Sequence, residues 1–117
     1  MITLGLTGSI GMGKSATAQM FADAVLVINA TTLGLGGGPG PAAALTAMRP
    51  GGVALDMIYR PLRTEFLERG ATAGLRTVDG LAMLIGQAEP SFEAFFGVVP
   101  PAIDVRAACL AALGDAA

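Results

Sequence analysis

The residues most able to do chemistry stand close to the N-terminus. Gly8, Ser9, Ile10, Gly11, Met12, Gly13, Lys14 and Ser15 read Gly-x4-Gly-Lys-Ser, the spacing of a loop that cradles phosphates. In such a loop the glycines let backbone N–H groups turn inward around an anion, and the N-terminus of the next helix adds its positive dipole end. Lys14 would reach the outer phosphates as a point charge, and Ser15 would offer its hydroxyl to Mg²⁺. Asp56 ends the apolar run VALD, the position of a carboxylate that holds the same Mg²⁺. An aspartate there also suits a second use, capping the turn after its strand, and that use is favoured. The ligand these residues imply is Mg-ATP, or another nucleotide or phosphate-bearing small molecule. Residues 11–16 also fit G-x-G-x-x-A, but a dinucleotide fingerprint needs a ribose-binding acid further on, and no carboxylate stands between Asp23 and Asp56.

Other chemistry is excluded by composition. The chain has no histidine and one cysteine, Cys109, so imidazole base catalysis, an internal disulfide and a thiolate metal cluster are all ruled out. Cys109 is expected as a buried helix residue. Lys14 is the one lysine, the arginines are scattered, and the net charge is −2, which argues against nucleic acid as a partner. The charge-free stretch 24–48 is broken by Asn29, Thr31, Thr32, several glycines, Pro39 and Pro41, so it is not a membrane span. No basic region precedes an apolar one at the N-terminus, so no leader is expected and the location implied is cytoplasmic. With 117 residues, 53% hydrophobic and 14% charged, a single globular domain with a core is expected.

The elements that must position these residues follow from periodicity. ITLGLT is a β-prone run. Within GKSATAQMFADA, Ala16, Met20, Phe21 and Ala24 make one helical stripe. AVLVINA suits a strand covered on both faces. Residues 31–41, dense in glycine and proline, form a loop, and a brief helix through AAALTAM follows. GGVALDMIY is a third strand. LRTEFLERGATAG is a helix with Leu62, Phe66 and Leu67 on one side, and LRTVDG is a fourth strand. LAMLIGQAEPSFEAFFG is a helix interrupted at Pro90 and closed by Gly97. PPAIDVRAACLAALG is a last helix, apolar over most of its circumference. The fold class is α/β: a small three-layer parallel sheet of about four strands, a Rossmann-like half that opens on a phosphate-loop βαβ unit.

Two resemblances overlay this pattern. The opening, in GLTGSIGMGKS and MFAD, resembles dephospho-CoA kinase, which uses Mg-ATP to phosphorylate a ribose hydroxyl. That family continues into an Asp-x-Asp pair, where this chain has Ile28, Asn29 and Ala30. Residues 25–97, in VLVINATTLGL, MRPGGVALDMIYRPLRTEFLERGATAGLRTVDG and GLAMLIGQAEPSFEAFFG, resemble the C-terminal half of shikimate dehydrogenase, an NADP-linked oxidoreductase. That resemblance implies NADP as cofactor, with Met57 and Gly80 beside the nicotinamide and Tyr59 and Gln87 on the shikimate side. Tyr59 and Gln87 equally suit exposed ends of a strand and a helix with nothing to bind.

On these resemblances the chain divides into 1–24, kinase-like, 25–97, dehydrogenase-like, and a terminal helix in 98–117, with a junction near residues 23–25. The expectation is an incomplete shikimate-dehydrogenase-like domain, truncated and inactive by itself, with a grafted phosphate loop. The alternative is a kinase-like ATP-binding piece. The terminal helix is a candidate for self-association.

Overall fold

Three short apolar runs and the segment Arg-Thr-Val become four strands: β1 (Thr3–Leu6), β2 (Leu26–Asn29), β3 (Val53–Asp56) and β4 (Arg76–Val78). The computed structural model of the chain describes residues 3–6, by backbone alone, and residues 21–114. Gly8 to Ser15 and the rest of 7–20, where the first helix is expected to start, lie outside the described residues, and residues 21–23 are helical. Two compact units make up the chain, Met1–Gly80 and Leu81–Ala117.

In the first unit the strands pair in the order β1-β2-β3-β4, and every pair is parallel. Each strand therefore crosses over to its immediate neighbour, and the C-terminal ends line up along one edge of the sheet. Val27 faces Ala54 and Asn29 faces Asp56 across β2 and β3. These four side chains are buried, whereas Leu26, Ile28, Val53 and Leu55 are half-buried. Cover is thus unequal on the two faces, contrary to the expectation for AVLVINA, because the core gathers on the Val27–Ala54 side. Phe21, Ala24, Leu45, Met48, Phe66, Leu67 and Leu75 complete that core.

Helix α1 (Glu65–Thr72) lies against β3, β4 and a 3-10 turn at Leu45–Ala47, and buries Phe66, Leu67 and Gly70. The hydroxyl of Thr64 accepts the Leu67 N–H at 3.2 Å and fixes the first turn. The helix therefore starts later than the apolar pattern suggested, and Leu62 falls outside it. The run AAALTAM makes only the 3-10 turn, and no side chain caps it.

Helix α2 (Gly80–Phe96), in the second unit from Leu81 onward, passes through Pro90 without a break, against expectation. Pro90 cannot donate to the Gly86 carbonyl, and its ring would crowd that group. Gly97, at φ +71°, ends the helix as expected. Helix α3 (Val105–Leu113) starts after the two prolines, where Asp104 Oδ1 accepts the Ala107 N–H at 3.0 Å, and Gly114 caps its end. Among the described residues no helix is long and apolar enough to cross a membrane.

A second device ties the 31–48 connection to α1. Glu65 accepts the Gly40 N–H at 2.9 Å and pairs with Arg69, whose guanidinium also donates to the carbonyls of Pro41 and Ala43. The loop can come this close because Gly40 lacks a Cβ, which would stand 2.9 Å from the Cβ of Phe66. Burial acts to raise the Glu65 pKa, but the Gly40 hydrogen bond and the Arg69 charge outweigh it and hold the carboxyl below its ordinary 4.5. A depressed carboxyl stabilises the fold above its unfolded pKa and loses that contribution as pH falls through its folded one. Glu65→Gln should therefore lower the Tm at neutral pH, and the gap from wild type should close as pH drops below 4.5, as thermal melts at stepped pH will read.

Candidate functional site

Ligands of open parallel sheets bind in the crevice beyond the C-terminal ends of the strands. At that edge β2 and β3 end on Asn29 and Asp56, both fully buried. Asp56 Oδ1 accepts from Asn29 Nδ2 at 3.2 Å and from the Ile58 N–H at 3.0 Å, and Oδ2 accepts from the Thr64 hydroxyl at 2.6 Å. Asn29 Nδ2 also donates to the Leu33 carbonyl at 3.1 Å. Its Oδ1 accepts from the Thr31 N–H at 3.0 Å and from the Thr31 hydroxyl at 2.7 Å. An unsatisfied polar group at such depth would cost about 1–3 kcal/mol, and among the described residues no buried side-chain nitrogen or oxygen lacks a partner.

Above this layer two segments lie side by side. The Met57 N–H donates to the Asn29 carbonyl and the Gly36 N–H to the Arg60 carbonyl, each at 3.1 Å. Among the described residues of the first unit, the large exposed hydrophobic ones are Leu33, Leu35, Met57 and Tyr59. All four sit on the segments that follow β2 and β3, at the sheet edge where a ligand would lie.

Gly80 closes the arrangement from behind. A Cβ there would stand 2.5 Å from the carbonyl oxygens of both Met57 and Ile58. What comes this close to Gly80 is the chain's own Met57–Ile58 backbone.

The residues singled out in the sequence fare differently. Met57, Tyr59 and Gly80 come together at the end of β3, the first two exposed and the third buried. Gln87 is exposed on α2 in the second unit. Gly8 to Ser15, including both proposed ligands of Mg-ATP, Lys14 and Ser15, lie outside the described residues. Asp56, the other residue assigned to Mg²⁺, turns both oxygens to protein donors, including the Ile58 N–H of a turn cap. Among the described residues no cluster of three metal-ligating side chains exists. Cys109 is half-buried.

Sequence reasoning missed Asn29 and Thr64 as parts of the site. A signal for Asn29 was present: in β2 it alternates with the buried Val27, as Asp56 does with Ala54 in β3, which places both polar residues on the core face.

The all-parallel strand order, with the strand ends aligned along one edge, defines a Rossmann-like half sheet. The relatives are more particular: the chain is 52% identical over 107 residues to the shikimate dehydrogenase (NADP(+)) of Caulobacter vibrioides, covering 91% of this chain and 38% of that protein. Shikimate 5-dehydrogenase of Thermus thermophilus, solved with NADP(H) and shikimate, matches at TM-score 0.62 and 32% identity, over 72% of this chain and 32% of that one. Ligand-free 5-ketofructose reductase of Gluconobacter sp. strain CHM43 matches at TM-score 0.63 and 27% identity, over 81% of this chain and 31% of that one. No protein-family model matches.

The chain therefore resembles shikimate dehydrogenases over most of its length and spans about 38% of the length of the curated relative that it matches over 107 residues. A match of 107 residues in a chain of 117 cannot lie wholly after Ala24. Dehydrogenase similarity crosses the junction expected near residues 23–25, and nothing in these relatives supports a kinase-derived segment before it.

Gly80→Ala tests the close approach. Overpacking of this kind costs about 1–3 kcal/mol, so the urea midpoint should fall by a corresponding amount, whereas Gly86→Ala, with open space around its Cβ position, should leave it nearly unchanged.

Proposed function

We propose that this chain supplies one wall of a shikimate-dehydrogenase-like oxidoreductase site that binds NADP and a hydroxylated or keto carboxylic acid. The observation that carries the reading is the exposure of Met57 and Tyr59, 42% and 40%, at the end of a strand whose preceding residue is fully buried. Met57 offers a polarisable apolar face suited to the flat nicotinamide. Tyr59 offers a phenol that both donates and accepts, suited to a hydroxyl or carboxylate of the substrate. Gly80 holds the backbone of Met57 in place behind that face. Gln87, exposed on the second unit, keeps the substrate-side role that the family resemblance alone implies.

When bound, the nicotinamide supplies hydride exchange with the substrate's carbinol carbon. The residues of this chain bind and orient. Proton transfer to or from the substrate oxygen calls for a further group, since the chain has no histidine and its one lysine is Lys14. The purified chain is thus expected to bind the nucleotide and the acid without turning them over.

A Mg-ATP site at residues 8–15 is the competing reading, and no observation among the described residues favours it. Thermal-shift titrations separate the two. NADP⁺ and shikimate should each raise the Tm, a ligand at a hundred times its Kd adding about 2.7 kcal/mol. Lys14→Ala should leave both responses unchanged. Tyr59→Phe should weaken shikimate binding by the value of one hydrogen bond, about 0.5–1.5 kcal/mol. Stabilisation by Mg-ATP that Lys14→Ala abolishes, with no response to NADP⁺, would overturn the proposal.

A further inference from the structure

We propose that Asn29, Asp56 and Thr64 are positioning residues for Met57 and Tyr59, and that their buried hydrogen bonds hold the ligand-facing wall in a binding-ready shape. What the wall receives rests on the oxidoreductase reading above. The positioning itself rests on geometry.

Asp56 anchors the segment after β3 at both of its ends. Oδ1 takes the Ile58 N–H, two residues on, and Oδ2 takes the Thr64 hydroxyl, eight residues on. Residues 57–63 are thereby closed into a loop on one carboxyl group. Ile58, buried between exposed Met57 and Tyr59, pins the loop inward while its two neighbours face out. Asn29 extends the same control to the other segment, because its amide nitrogen donates to both Asp56 and the Leu33 carbonyl. One buried amide and one buried carboxyl therefore set the relative position of both segments that carry exposed apolar side chains.

A catalytic use of Asp56 does not fit this geometry, since its oxygens are fully buried and each accepts from the protein. Acting through other residues does fit. A wall already ordered before ligand arrives spares the entropy of ordering side chains and loop on binding, and a site held loosely loses alignment with its ligand.

The chain offers a specific probe. It has one tyrosine, Tyr59, and no tryptophan, so tyrosine emission reports on the wall alone. Thr64→Val keeps the side-chain shape but removes the hydroxyl, whereas Thr64→Ser keeps it. Asn29→Ala breaks the network from the β2 side and leaves the Thr64 cap of α1 intact. Emission anisotropy, acrylamide quenching and dissociation constants for NADP⁺ and shikimate are measured where far-UV circular dichroism shows each variant folded.

Thr64→Val and Asn29→Ala should lower the anisotropy of Tyr59, raise its quenching and weaken both ligands, with Thr64→Ser restored towards wild type. Folded variants with wild-type anisotropy and quenching, and merely lower Tm, would overturn the proposal by showing a role in stability alone. Should Thr64→Val fail to fold, Asn29→Ala decides by the same criteria. If wild type binds neither NADP⁺ nor shikimate, the oxidoreductase reading falls, and the Tyr59 signal still decides whether the network positions the wall.

Discussion

A carboxyl group can be buried only if hydrogen-bond donors surround it, and Asp56 meets that condition with donors from three separate stretches of chain. One is the end of the neighbouring strand, one is the turn that follows its own strand, and one is the cap of α1. Thr64 makes the coupling tight, because the same hydroxyl that donates to Asp56 accepts from Leu67. The place where β3 ends and the place where α1 begins are thus set by a single oxygen. Moving either would leave a polar group stranded in the core.

The sheet has a chemical gradient along its buried face. Val27 and Ala54 lie side by side in the apolar layer, and one pleat further on Asn29 and Asp56 lie side by side in a polar layer. Apolar packing holds the strands together, and the polar layer then shapes the two segments that leave them. This division fits a fold shared by proteins named for different substrates, such as shikimate 5-dehydrogenase and 5-ketofructose reductase. The scaffold is common to them, and specificity is the business of what the loops display.

Strands were the most legible part of this sequence, since three of the four are short, largely apolar runs. Helix limits were less so, because single hydrogen bonds decide them. The hydroxyl of Thr64 trims α1, and Asp104 delays α3 past its prolines. Pro90 misled in the opposite direction, because α2 runs through it without a break. At the site, Met57, Tyr59 and Gly80 were found through family likeness and do meet at one strand end. Asn29 was noticed only as a departure from a kinase pattern. Its place beneath the site depends on pairing with a residue 27 positions away, which no local motif conveys. The glycine-rich opening had the reverse failing: a complete local motif pointed to one family, whereas similarity over 107 residues points to another.

The outer strand of the described sheet, β4, has only three residues and opens on an exposed arginine, Arg76. Backbone groups along an open rim invite strand-by-strand stacking between molecules. A rim this short, carrying a hydrated cation at its start, gives an incoming chain little ladder to extend and a desolvation penalty at the first rung. Resistance to amyloid-like growth from that side is therefore a property of three residues rather than of the sheet as a whole.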